Sequence, residues 1–275
     1  MKKIRLATRG SPLALMQARM VAEYLGKKCP DAEFEIVEIK TRGDKNQSLS
    51  LSADGGTGLF TKEIERAVLD GHADLAVHSA KDLPTEIASG LSLAGCLPRD
   101  ACRDVLAVRA GVEVPSLIAS SSPRRRAQLK KLFPHIVWSE LRGNVHTRLA
   151  KIVSGAADAT LLSEAGIVRL GLEHFDGVVF TPLKVDICVP AVGQGIIAYE
   201  SRAEDAEFFA RFSDPSTDFA LKLERAYLRS LGGGCQSACG AYFDGSVLRI
   251  FNEDTGFKKI PVDTAASIDS ILKNA

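Results

Sequence analysis

Two short segments, 84 residues apart, follow one pattern. Gly71-His72-Ala73-Asp74 leads into an apolar run that ends at Ser79, and Gly155-Ala156-Ala157-Asp158 leads into one that ends at Ser163. Each follows a stretch in which apolar residues recur at helical spacing. Upstream, Arg42-Gly43-Asp44 parallels Arg142-Gly143-Asn144 at an offset of 100, the extra length falling in a loop over 45–60. If the matches stem from duplication, the chain folds as two similar α/β domains around a cleft. Matches this short also arise by chance, and the sequence leaves both origins open. Ligands of open α/β sheets sit at the carboxyl ends of strands. Ser79-Ala80-Lys81-Asp82 and Ser163 fall there.

The rest of the chain alternates in the same way. Residues 3–8 read as a strand, and Ser11-Pro12 opens a helix to about Leu25. Phe34–Ile39 alternates apolar with charged residues and reads as a strand. Residues 41–58, rich in Gly, Ser and Asp, read as a loop, followed by a helix over Thr61–Leu69 and a strand at Leu75–Val77. From Pro215 the character changes. A long helix runs to Leu231, glycines break it, strands follow at 241–243 and 247–251, and a helix spans 265–272. The expected domains are 1–97 with 195–214, then 98–194, then a small α+β third domain over 215–275.

Two arginine clusters sit in the second of these domains. One is Ser120-Ser121-Ser122-Pro123-Arg124-Arg125-Arg126; the other is Leu141-Arg142-Gly143-Asn144-Val145-His146-Thr147-Arg148. Each runs from a polar loop into a helix, with Pro123 suited to the first helical position and Asn144 to the cap. Unpaired N–H groups at a helix start attract anions, and arginine grips carboxylate or phosphate with two parallel bonds. Arg9 and Ser11 form a similar junction. The pattern points to a ligand with several anionic groups. Lys and Arg total 35 against 34 Asp and Glu, so the net charge is only +1. That balance disfavours a general nucleic-acid binder.

No apolar stretch follows the basic start Met1-Lys2-Lys3, no run is long enough to span a membrane, and the six cysteines show no paired C-x-x-C pattern. A cytoplasmic chain with reduced thiols and no metal is expected. Asp82, beside Lys81 and ahead of Pro84, suits stabilisation of a cation or proton transfer. Taken alone, the pair reads first as a surface ion pair. Cys235, behind Gly232-Gly233-Gly234, reads as an exposed nucleophile or attachment point, or equally as a small buried residue after a helix stop. Arg169 reads first as a cation offsetting a helix C-terminus. His78 and His146 have no neighbouring metal-ligand partner in the sequence.

Eight segments, in order, resemble the porphobilinogen deaminase (hydroxymethylbilane synthase) family. They are Ala7-Thr8-Arg9-Gly10-Ser11-Pro12-Leu13-Ala14-Leu15, Thr41-Arg42-Gly43-Asp44, Gly58-Leu59-Phe60, Ala76-Val77-His78-Ser79-Ala80-Lys81-Asp82-Leu83-Pro84, Ser121-Ser122-Pro123-Arg124-Arg125, Leu141-Arg142-Gly143-Asn144-Val145, Pro190-Ala191-Val192-Gly193-Gln194-Gly195 and Gly233-Gly234-Cys235-Gln236. The resemblance implies two domains resembling type-II periplasmic binding proteins, and a third carrying the cysteine. It implies a monomeric transferase of tetrapyrrole biosynthesis that joins four porphobilinogen molecules head to tail and releases ammonia. The product grows on a dipyrromethane cofactor held through a thioether, at Cys235 by the family's motif. The resemblance makes Asp82 the catalytic carboxylate, stabilising the azafulvene cation. It gives Lys81, Ser122, Arg124 and Arg125 to the cofactor carboxylates. Arg9, Ser11, Arg142, Arg148 and Arg169 fall to substrate carboxylates, and Phe60, covering the site, and Gln194, in a hinge-proximal motif, also fall to substrate binding.

Three departures stand against that pattern. Ala53 and Thr57 occupy positions where the family carries lysines, Gly232 replaces a glutamate, and after Phe251 there is room for only one strand and one helix. None removes Asp82, Cys235 or the arginines. An active enzyme is expected; a degenerate homologue, or a two-domain anion-binding module without catalysis, is the alternative.

Overall fold

A computed structural model describes residues 2–41, 61–130, 132–232 and 238–273. The chain begins with β1 (Lys2–Arg9), α1 (Pro12–Lys28), β2 (Ala32–Ile39), α2 (Lys62–Leu69), β3 (Leu75–Ser79) and β4 (Leu91–Cys96). There follow β5 (Asp104–Arg109), β6 (Leu117–Ala119), α3 (Pro123–Leu129), β7 (Val137–Ser139), α4 (Val145–Val153), β8 (Ala159–Ser163), α5 (Glu164–Arg169) and β9 (Val178–Pro182). The last stretch holds β10 (Ile197–Arg202), α6 (Ala206–Ala210), α7 (Pro215–Ser230), β11 (Cys239–Phe243), β12 (Val247–Asn252), β13 (Gly256–Pro261) and α8 (Ile268–Leu272). These elements form two compact units, Met1–Arg99 with Ile196–Lys222, and Asp100–Gly195 with Leu223–Ala275.

The sheet of the first unit has the order β2-β1-β3-β10-β4, and that of the second β7-β6-β8-β5-β9. In each, three parallel strands are followed by one antiparallel strand in fourth place. Each is a mixed α/β domain, the class the strand–helix alternation leads one to expect. In the first unit, α1 packs Val21 and Leu25 on one face of the sheet with Leu6, Leu75 and Val77. On the other, α2 packs Ile64 and Val68 with Ala7 and Ala76. Both faces of the central strands are therefore apolar, as covered parallel sheets require. Helix α1 runs three residues beyond Leu25, through Gly26 to Lys27 and Lys28, whose charges offset the negative helix end.

The two glycine-to-aspartate segments are one structural element placed twice. Gly71 and Gly155 both turn the chain with positive φ, +74° and +82°. Asp74 then accepts the backbone N–H of Arg5 at 2.8 Å, and Asp158 that of Leu117 at 3.1 Å. In return Asp74 N–H donates to Arg5 O, and Asp158 N–H to Leu117 O. The arginine that ends the antiparallel strand completes each set, Arg202 on Asp74 and Arg109 on Asp158. Serine and proline recur as well. Ser11 caps α1 after β1, and Ser122 caps α3 after β6, each with proline in the first helical turn.

These carboxylates make the fold acid-sensitive. Bonds from the Ser116 hydroxyl and N–H, the Leu117 N–H and Arg109 hold Asp158 well below the usual carboxylate range. Burial would raise Asp74, but the Arg5 bonds outweigh it and lower it. A carboxyl lowered on folding contributes stability above its unfolded pKa of about 3.9, and that contribution is lost as pH falls toward the folded value. The midpoint of urea unfolding should fall steadily below about pH 4. A midpoint flat from pH 5 to 2 would contradict this. The Asp158→Ala variant should show a shallower decline.

The third sheet, β11-β12-β13, is antiparallel throughout and lies in the second unit. Strand β13 and helix α8 follow Phe251.

Candidate active site

In the first unit a pocket opens at the carboxyl ends of β1 and β3. Arg9, Ser11, Ser79 and Asp82 line it, with Gln17, Thr61, Ile64 and His78. Strand β1 delivers Arg9, and the start of α1 delivers Ser11, whose hydroxyl accepts the Ala14 N–H at 3.3 Å. A single 3-10 turn, Ala80–Asp82, carries Lys81 and Asp82 out of β3. The turn is anchored from within. Ala80 N–H donates to Ile196 O at 3.0 Å, and the Leu83 side chain is 1% exposed. Asp82 stays exposed. Gln17 Nε2 donates to Ser79 Oγ at 2.8 Å, a floor contact that the sequence reading lacks. The signal for it is a polar residue on the buried stripe of α1, beside Ala18 and Val21. His78 Nε2 lies 3.2 Å from the wholly buried carboxylate of Glu200.

In the second unit the first arginine cluster turns inward. Ser122 Oγ accepts the Arg125 N–H at 3.4 Å and so starts α3. Arg124 and Arg125 are 5% and 8% exposed and converge on Asp104, at the first position of β5. Arg124 Nη1 donates to Asp104 Oδ2 at 2.7 Å and to Val189 O at 2.6 Å. Arg125 donates through Nε and Nη2 to Asp104 Oδ1, and through Nη1 to Leu161 O. Burial alone would raise the Asp104 carboxyl; the two guanidinium ions outweigh it and hold it far below the usual range. Gln194, 1% exposed, donates to Cys102 O and to the same carboxylate.

The other predicted residues of this unit make the following contacts. Arg142 approaches Glu140 at 3.4 Å. Arg148 Nε donates to Gly143 O at the capped start of α4, where Asn144 Oδ1 accepts the Thr147 N–H. Arg169, at the end of α5, donates to Asp100 Oδ2 and Gly195 O. Burial lowers the Arg169 guanidinium, and Asp100 opposes that shift. Phe60, Ala53, Thr57 and Cys235 lie outside the described residues. Gly240, five positions after Cys235, is described. A Cβ there would stand 2.7 Å from Pro190 O, 2.8 Å from Val189 O and 3.2 Å from Arg124 Cδ. Only glycine lets the start of β11 lie so close to the Pro190 and Val189 carbonyl oxygens, beside Arg124.

One pocket with a strand-end carboxylate, and one buried arginine pair, thus stand on two copies of an α/β fold. A family model described as "Porphobilinogen deaminase, dipyromethane cofactor binding domain" matches residues 4–210. The chain belongs to the porphobilinogen deaminase family. A probable porphobilinogen deaminase of Ignicoccus hospitalis is 44% identical over 260 residues, covering 90% of this chain and 84% of that protein. The porphobilinogen deaminase of Syntrophomonas wolfei is 45% identical over 244 residues, covering 86% and 79%. Among solved structures, the periplasmic VFT2 domain of Bordetella pertussis BvgS is similar with a TM-score of 0.46 at 16% identity, covering 84% of this chain and 92% of that one. That last likeness is too distant to inform a porphobilinogen deaminase site.

Proposed function

We propose that the protein is a porphobilinogen deaminase, a transferase of tetrapyrrole biosynthesis that joins four porphobilinogen molecules into the linear tetrapyrrole hydroxymethylbilane and releases ammonia. Family membership carries the reaction. The observation that supports the site is the convergence of Arg9, Ser11 and Asp82 on one pocket. Porphobilinogen bears an acetate and a propionate on its pyrrole and an aminomethyl group at the reacting carbon. Arg9 and the Ser11-capped start of α1 hold a carboxylate. Asp82 faces the aminomethyl end, where positive charge develops as ammonia departs. A fixed carboxylate aimed at developing charge is often the largest contribution a site makes. Asp82 also accepts the proton that the pyrrole α-carbon loses once the new carbon–carbon bond has formed.

The family's dipyrromethane cofactor, when bound, supplies the primer on which the product grows. The described residues fit such a polycarboxylate. Arg124 and Arg125 each have N–H groups beyond those given to Asp104, Val189 and Leu161. The Ser122-capped start of α3 adds backbone donors, and Gly240 brings the strand that follows Cys235 against Arg124. In this reading Lys81 holds a further cofactor carboxylate, and Arg142, Arg148 and Arg169 hold the lengthening product. The enzyme acts as a monomer in the cytoplasm. Among the described residues no helix is long and apolar enough to cross a membrane.

The test is the intact mass of protein purified from a host that makes porphobilinogen. The expected result is a covalent excess of two linked pyrrole units that is absent from Cys235→Ser. An unmodified mass together with no release of ammonia from porphobilinogen would overturn the proposal in favour of a degenerate homologue.

A further inference from the structure

The geometry points to Asp104 as the positioning residue for Arg124 and Arg125, and to Gln194 as a brace on Asp104 that does not touch substrate. This rests on the reading above, which gives the two arginines to the cofactor.

Asp104 is wholly buried, and both its oxygens are occupied. Oδ1 accepts from Arg125 Nε at 3.0 Å, Arg125 Nη2 at 2.7 Å and Gln194 Nε2 at 3.1 Å. Oδ2 accepts from Arg124 Nη1 at 2.7 Å and from the Cys188 thiol at 3.3 Å. A carboxylate offers about four acceptor sites, so these donors fill it. Both guanidinium planes are fixed by the protein itself, before any ligand arrives. Three of the five N–H groups of Arg125 go to Asp104 and Leu161 O. One remains on each terminal nitrogen, so Arg125 keeps two N–H donors beyond the bonds that fix it. Charge points the same way. Two arginines and one aspartate carry a net charge of +1, so a single ligand carboxylate neutralises the group. Without Asp104 two buried cations would face each other unpaired.

Gln194 enters through its donors. Its side-chain amide has two N–H groups. One goes to Cys102 O at 2.7 Å and the other to Asp104. With both directed at buried protein acceptors, neither is available to a substrate carboxylate. The sequence position of Gln194, inside a family motif, suggests substrate contact; its bonds assign it to the arginine pair.

Gln194→Leu decides the matter, because it removes the brace and leaves the Asp104 ion pairs in place. The variant is purified from a host that makes porphobilinogen. Its intact mass gives the fraction carrying the pyrrole adduct, and the loaded fraction gives KM for porphobilinogen. We expect the adduct-bearing fraction to fall about tenfold, the size expected for losing one bond to a charged group. KM should stay within about twofold of the parent value. Full loading with a KM raised about tenfold would overturn the inference and return Gln194 to the substrate. Asp104→Asn should lose the adduct more completely, since an amide at 104 turns an N–H toward a guanidinium. If Asp104→Asn does not fold, the Gln194→Leu result stands alone. A parent protein without adduct would sink the proposed function. A loaded parent with a fully loaded Gln194→Leu variant would sink only this inference.

Discussion

Asp82→Asn should fold like the parent and lose about two to four orders of magnitude in kcat. The fold is not at risk, because Asp82 is exposed and the turn that bears it is held by other groups. Ala80 N–H on Ile196 O and the buried Leu83 fix the backbone on either side. Exposed substitutions away from caps and ion pairs usually shift stability by less than about 0.5 kcal/mol. Asparagine keeps the shape of the side chain and removes its charge and its basicity. What is lost is therefore the interaction with the cation that forms as ammonia leaves, together with the base that takes the α-carbon proton. The measurement is the rate of ammonia release at saturating porphobilinogen, with a thermal melt as the control. The proposed function leaves the substrate carboxylates to Arg9 and the start of α1, so KM should change little. Asp82→Glu keeps the charge but moves it by one methylene, and should fall between the two. An Asp82→Asn variant within about tenfold of parental kcat would remove Asp82 from the chemistry.

The position of that carboxylate is legible in the sequence because its signal is local. Its role is not, since taken alone it reads first as half of a surface ion pair and only the family resemblance makes it catalytic. A strand, a short polar turn and a proline within eight residues place Asp82 at a strand end whatever the remainder does. The serine–proline helix starts and the paired Gly-to-Asp segments are local in the same sense. What makes the two segments equivalent is not local: Arg5 and Arg202 complete the set on Asp74, and Leu117 and Arg109 the set on Asp158. Other parts of the site were hidden because their partners lie far off in the chain. Asp104 meets residues 20, 21, 84 and 90 positions away, and Gln17 meets Ser79 62 positions away. Hydrophobic period reports which face is buried, not which buried polar groups find each other. A signal for Asp104 does exist: a lone carboxylate opening the apolar run Val105-Leu106-Ala107-Val108 must be paired if the run is a core strand. The sequence cannot name the arginines that pair it. The partners of Gln194 are hidden for the same reason, since its motif marks it as important without saying that Cys102 O and Asp104 take its amide.

Glu224→Gln should cost about 2–4 kcal/mol of unfolding free energy, although it changes one atom. Glu224 lies on the apolar stripe of α7 between Leu221 and Leu228 and is wholly buried. Its Oε2 accepts the Gly193 N–H at 2.8 Å, and its Oε1 accepts the Phe243 N–H at 2.9 Å. Both bonds need an acceptor at the far end of the side chain. Glutamine offers one oxygen and one NH2 group, so in either orientation one backbone N–H faces another donor. A charge-assisted bond is exchanged for a buried donor clash, and water cannot reach the site to relieve it. The effect should also spread to function. Gly193 immediately precedes Gln194, which braces Asp104, and Phe243 closes β11, the first described strand after Cys235. If Arg124 and Arg125 hold the cofactor as proposed, loosening Glu224 disturbs them through Gln194, and it also disturbs β11 through Phe243. Two measurements check this, urea unfolding and the adduct-bearing fraction by intact mass. Both should fall in Glu224→Gln, whereas a purely local defect would lower stability with loading unchanged. A variant as stable as the parent would show that the two N–H groups do not need the carboxylate.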